Sequence, residues 1–124
     1  MSENRKPILC LDFDGVIHSY TSAWKGADVI PDPPVPGVFE FILAASEVFE
    51  VHVFSSRSSL PGGIGAMQRW FLEWGDQHPL SVVHFPTSKP PSFVGIDDRV
   101  LTFTGTWPTI RELVEFKPWN KRSV

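Results

Sequence analysis

Ile8-Leu9-Cys10-Leu11-Asp12-Phe13-Asp14-Gly15 is the stretch on which the fold turns. Four apolar residues run without a polar break and end on a carboxylate, the pattern of a strand buried on both faces of a parallel sheet. Residues 13–35 lose that pattern and finish in Pro31, Pro33 and Pro34, so they read as a long loop or small hairpin outside the sheet. Val38, Phe41, Ile42, Ala45, Val48 and Phe49 then repeat at helical spacing, predicting a helix over 36–49 with Pro36 in its first turn. Residues 51–54 give a second strand. Ile64, Met67, Trp70, Phe71 and Trp74 give a second helix that Gly75 closes. Strands over 82–85, 93–96 and 100–103 follow, and Pro108 opens a last helix through Ile110, Leu113 and Val114. Strands alternating with helices predict an α/β sandwich around a mostly parallel sheet.

At 124 residues the chain has room for one domain, 1–124, and its 42% hydrophobic and 20% charged residues are an ordinary globular mixture. A net charge of -3 argues against an extended nucleic-acid groove, though not against gripping one phosphate group. No apolar run approaches the roughly 20 residues needed to cross a bilayer. The polar amino terminus lacks the apolar core of a secretory signal, so a cytoplasmic protein is expected. Cys10 is the only cysteine, which excludes an internal disulfide and a cysteine-built zinc site, and it reads as core packing. His52, His78 and His84 read as structural, Trp107 and Trp119 as packing on the sheet edge, and 118–124 as a frayed tail. With no obvious exposed apolar helix face, a monomer or weak dimer is expected.

Ligands of open α/β sheets bind beyond the carboxyl ends of the strands. There the sequence places Asp12 and Asp14, then Ser55, Ser56 and Arg57, then Lys89, then Asp97 and Asp98. Four carboxylates at one sheet edge repel each other unless a cation neutralises them, and all-oxygen ligation selects a hard ion, Mg²⁺. A carboxylate beside such an ion can attack phosphorus, and Asp12, first out of the strand, is the candidate nucleophile. Asp14 projects to the same side two residues on and can exchange protons with the leaving oxygen and with water. Ser55 and Lys89 would neutralise the phosphoryl oxygens. Arg57 is read either as a phosphate clamp or as a surface partner for a Glu or Asp.

Asp12-Phe13-Asp14-Gly15-Val16, Ser55, Lys89 and Asp97-Asp98, in this order, resemble the four motifs of the haloacid dehalogenase-like phosphatase superfamily. The resemblance implies a three-layer, Rossmann-like sandwich with strand order 3-2-1-4-5. It also implies a Mg²⁺-dependent phosphomonoesterase with an aspartyl-phosphate on Asp12, Asp14 as acid/base, and a metal held by Asp12, the Asp14 backbone carbonyl and Asp98, with Asp97 nearby. An aspartate at 14 points to phosphate-ester hydrolysis within that superfamily. Neither 13–35 nor 58–80 is long enough for a large cap, so the chain is similar to capless members with a small flap over about 15–35. His18, Tyr20, Trp24 and Lys25 on that flap are candidates for touching the leaving group, or else the flap is a loop held down by its own aromatics; Ser56 and Arg57 are candidates for touching the phosphate.

An open site of this kind suits a phosphorylated small metabolite, a nucleotide or an exposed phosphate on a macromolecule. Ser55-x-Arg57 is similar to the 3′-phosphatase domains of polynucleotide kinases, and Lys89-Pro90 with Ile96-Asp97-Asp98-Arg99-Val100 to short phosphatases of capsule-synthesis and phage type. Only seven residues, 86–92, separate the third strand from the fourth, too few for a crossover helix, but an extended path through Pro90-Pro91 would return Lys89 to the phosphate. The alternative is that Lys89 neutralises the carboxylates from the side. Two rivals remain: a phospho-receiver signalling domain, which the order of the motifs disfavours, and a catalytically silent binding module of the same fold.

Overall fold

In the computed structural model, which describes residues 5–121, four strands form an all-parallel sheet in the order β3-β2-β1-β4. They are β1 (Ile8–Leu11), β2 (Glu50–Val53), β3 (Val83–His84) and β4 (Val94–Ile96). Helix α1 (Val38–Ala45) joins β1 to β2, and α2 (Gly63–Gly75) with α3 (Gln77–Ser81) joins β2 to β3. Beyond β4 come α4 (Ile110–Val114) and a single 3₁₀ turn, Trp119–Lys121. Residues 1–4 and 122–124, part of the expected domain and tail, lie outside the described residues.

The register explains the layering. Leu9 lies opposite Val51 and Val94, and Val51 opposite Val83, so these side chains share one face. Leu9, Leu11, Val51 and Val53 there join Val38 and Ile42 of α1 and Met67, Trp70 and Phe71 of α2 in one buried cluster, with Phe13 and Ile17 closing its upper end. Each large side chain fully removed from water contributes about 1.5–3 kcal/mol, so this cluster is the main source of stability. The N-terminus of α2 abuts the turn after β2 so closely that a Cβ on Gly63 would run into the Arg57 carbonyl.

Cys10, His52, His84 and Gly95 occupy the alternate register positions and face the other way. The expected third layer is absent there among the described residues: α4 has no buried residue, and its Ile110 and Val114 are 75% and 78% exposed. The expected fifth strand is also corrected. Among the described residues, 100–103 have no strand partner, and Val100 and Phe103 stay 63% and 58% exposed. The order is thus 3-2-1-4 rather than 3-2-1-4-5.

Trp107 is exposed, while Trp119 and Asn120, read as tail, reach back to the loop after β1. Trp119 Nε1 donates to the Gly15 carbonyl at 2.7 Å and Asn120 Nδ2 to that of Ser19 at 3.0 Å. An apolar cleft of about 440 Å³ between α1 and β4, lined by Phe41, Val48, Val94 and Ile96 among others, corrects the expectation of no exposed apolar helix surface. No helix among the described residues is long and apolar enough to cross a membrane.

Candidate active site

Ladder hydrogen bonds continue one residue past the strands and set the floor of the site. Asp12 N–H donates to the Ile96 carbonyl at 3.0 Å, and Phe54 N–H to that of Leu11 at 3.0 Å. The residues that follow each strand therefore emerge side by side. Asp12, Ser55, Ser56, Lys89 and Asp97 line one open cavity of about 550 Å³, whose wall is completed by residues including Cys10, Phe54, Ser92 and Phe93. The short path from β3 to β4 thus leaves Lys89 on the same cavity as Asp12, as the extended route through Pro90-Pro91 anticipates.

Asp12, Asp97 and Asp98 each bring a carboxylate oxygen within 4.8 Å of the other two. Asp98 Oδ1 is buried without a hydrogen-bond partner, and Asp97 Oδ1 accepts from the Arg99 N–H at 2.8 Å. Gly15, at φ +86°, passes so close to this cluster that a Cβ there would collide with the Asp98 carboxylate. An orphaned buried carboxylate oxygen beside two further acids is a donor set that fits a hard divalent cation, and Mg²⁺ takes oxygen ligands of this kind.

Electrostatics agree. Burial, repulsion from Asp97 and a hydrogen bond with Asp98 push the Asp12 carboxyl from its ordinary 3.8 up to about 8. Stripped of divalent cations, the folded protein therefore holds a proton on Asp12 over an interval in which the unfolded chain has released it. Because the folded state binds the extra proton, stability falls as pH rises from about 4 to about 8, by up to about 1.4 kcal/mol per unit, and levels off above. Melting in chelator should show this slope, and added Mg²⁺ should stabilise most at the alkaline end, where it no longer competes with the proton. A melting temperature that rises over the same interval in chelator would contradict the cluster.

The Asp14 carboxylate does not join the other three, so the four carboxylates expected at one sheet edge are three in the cluster and one apart from it. That fourth carboxylate is held on the flap side by two partners. Arg57 Nε donates at 3.0 Å to Oδ2 and Nη2 at 3.1 Å to Oδ1, and His18 Nδ1 lies 2.9 Å from Oδ1. His18 Nε2 accepts from the Asp32 N–H at 3.1 Å, so Nδ1 carries the proton and donates to Asp14.

Both partners also depart from their expected roles. Arg57 is fully buried and is no phosphate clamp: Nη1 donates to the carbonyls of Gly26, Ala27 and Val29, and the guanidinium lies 4.7 Å from the Trp24 ring centroid. The loop after β1 wraps Arg57 and takes up its fork; its partner is an acid, Asp14, but in the interior and not at the surface. His18 is likewise fully buried, stacked on Phe13 and edge-on to Trp70, and cannot touch a substrate. Lys25 is exposed on the flap and does not line the cavity.

Two residues passed over in the sequence complete this support. Asp32 accepts from Ser22 through both its N–H at 2.7 Å and its hydroxyl at 2.5 Å, and its carbonyl accepts from Trp70 Nε1 at 3.0 Å. Burial raises the Asp32 carboxyl, but the hydrogen bonds it accepts, those from Ser22 first, hold the group below its ordinary value. The one sequence signal for this network is the spacing of His18 four residues after Asp14.

Ser55 is buried at the cavity wall. Its Oγ accepts from the Arg57 N–H at 2.9 Å, which leaves the hydroxyl proton free to donate into the cavity. Ser56 is exposed beside it. No family model, no curated protein and no solved structure matches this chain.

Proposed function

We propose that the chain is a Mg²⁺-dependent phosphomonoesterase of the haloacid dehalogenase-like type, working through an aspartyl-phosphate on Asp12. The observation that carries this reading is the meeting of Asp12 and Asp97 with Ser55 and Lys89 around one cavity, with the Asp98 carboxylate clustered against the first two. Asp12 and Asp98, with Asp97 beside them, would hold Mg²⁺. When bound, it keeps Asp12 ionised and draws charge from the phosphoryl oxygens.

An Asp12 carboxylate oxygen attacks phosphorus, and the bond from phosphorus to the ester oxygen breaks. Asp14, oriented by His18 and Arg57, is the acid/base, and in its protonated form it gives that proton to the departing oxygen. It then takes one from water, whose oxygen attacks phosphorus as the bond to Asp12 breaks. Inorganic phosphate and the free carboxylate result. The Ser55 hydroxyl and the Lys89 ammonium meet the equatorial oxygens as charge builds on them. An open cavity without a large cap suits a small phosphorylated metabolite, a nucleotide or a phosphate exposed on a macromolecule.

Hydrolysis of p-nitrophenyl phosphate tests this: activity should require Mg²⁺ and vanish in chelator. Ser55→Ala, which removes one oxyanion donor, should lower kcat by roughly 100- to 1,000-fold. A rate indifferent to Mg²⁺ and to Ser55 would refute the proposal. One observation favours a second reading: the Asp14 carboxylate is already engaged by Arg57 and His18. In that reading the site binds Mg²⁺ and a phosphorylated partner without turnover. Mg²⁺-dependent stabilisation with no hydrolysis would select it.

A further inference from the structure

The face of the sheet that no helix among the described residues covers carries a second set of ligand-type side chains, remote in sequence from the acidic cluster. Glu50 and His52 sit two residues apart on β2 and project from the same face, and β3 sets His84 directly opposite His52 in the parallel register. The two imidazole rings are nearly parallel, 26° apart, with centroids separated by 4.8 Å. Glu50 Oε1 lies 2.7 Å from His52 Nε2, and one ligand atom of each residue falls within 4.8 Å of the others. His52 Nδ1 is buried without a hydrogen-bond partner. β3 is the edge strand, and His84 is exposed, so an ion can reach the group from solvent.

We infer that Glu50, His52 and His84 form a Zn²⁺ site, distinct from the carboxylate cluster around Asp12. Two imidazole nitrogens and one carboxylate oxygen are a borderline donor set that suits Zn²⁺, whereas three carboxylates suit Mg²⁺. Coordination replaces the hydrogen bond between Glu50 and His52 and leaves a fourth position for water or a ligand from outside. It would also clamp the two-residue strand β3 onto β2, giving the shortest element of the sheet an anchor that its own hydrogen bonds scarcely provide.

Calorimetric titration of Zn²⁺ into chelator-treated full-length protein at saturating Mg²⁺ tests the site, with Co²⁺ as a spectroscopic stand-in. The expected result is one bound equivalent that Mg²⁺ does not displace and that the Asp97→Asn/Asp98→Asn variant retains. Co²⁺ should give the intense visible absorption of a tetrahedral, nitrogen-containing site. His84→Ala, at an exposed position where the fold does not depend on the ring, should weaken binding by more than the roughly 10- to 100-fold that loss of an outer-shell partner costs. Glu50→Gln should weaken it as well. Zn²⁺ affinity unchanged in His84→Ala and Glu50→Gln, or Zn²⁺ released by Mg²⁺, would overturn the assignment.

Discussion

Asp12→Asn should abolish turnover while making the metal-free protein more stable at neutral and alkaline pH. An amide of nearly the same shape cannot attack phosphorus, and loss of a nucleophile costs roughly 10⁴-fold or more in kcat. In the parent, burial and repulsion from Asp97 oppose the charge on Asp12 and raise its carboxyl to about 8. The amide carries no charge, so that opposition disappears. Activity and stability therefore move in opposite directions. A merely structural role for Asp12 would lower both. Rates on p-nitrophenyl phosphate with Mg²⁺, set beside melting temperatures in chelator at about pH 8, read the two effects in one variant. Retained hydrolysis, or loss of stability together with loss of activity, would count against a nucleophilic Asp12.

Arg57→Met should destabilise the protein by about 3–5 kcal/mol, the range for removing one partner of a buried ion pair. The side chain is fully buried, and its fork is shared between the Asp14 carboxylate and the carbonyls of Gly26, Ala27 and Val29. Truncation leaves a nearly buried carboxylate and a set of flap carbonyls without their donor. Lysine cannot substitute, because a point charge does not span the carboxylate and the flap at once. Denaturant unfolding measures the loss. The Asp14→Asn/Arg57→Met pair should recover part of it, since the uncompensated charge is then gone. A loss under about 1 kcal/mol would mean that Arg57 is solvated as a surface ion pair is, and that the flap stands without it.

The parts of this architecture that local pattern controls were legible from the residues. Ile8–Leu11 is apolar at every position and ends on Asp12, and the spacing of Ile64, Met67, Trp70 and Phe71 allows only a helix with one buried face. The convergence of Asp12, Ser55, Lys89 and Asp97 on one cavity follows from topology, because each leaves the carboxyl end of a parallel strand or the loop beyond it. What failed depends on direction rather than type. Arg57 and His18 have the chemistry of phosphate ligands, but the flap turns both inward onto Asp14, and nothing in their spacing states which way a long side chain will point.

Residues 100–103 show the same limit in another form. Val100-Leu101-Thr102-Phe103 has strand propensity like Ile8–Leu11, yet a four-residue run becomes a strand only if a neighbour pairs with it, and none among the described residues does. α3 escaped notice because Pro79 stands inside it, at the third position of a five-residue helix, where the missing N–H has no intrahelical partner to lose. His52 and His84 read separately as structural residues. Only the parallel register brings their rings face to face.

Intact-mass and peptide analysis of the Asp14→Asn variant, quenched during reaction with acetyl phosphate and Mg²⁺, tests the phosphoryl-transfer chemistry most directly. Acetate leaves without needing a proton from residue 14, so Asp12 should still be phosphorylated, while hydrolysis, which needs a base there, should stall. The predicted result is one phosphoryl group per chain, located on Asp12, stable to an acid quench and released by hydroxylamine or alkali. A chain that stays unmodified, or a phosphoryl group on any other residue, would contradict it.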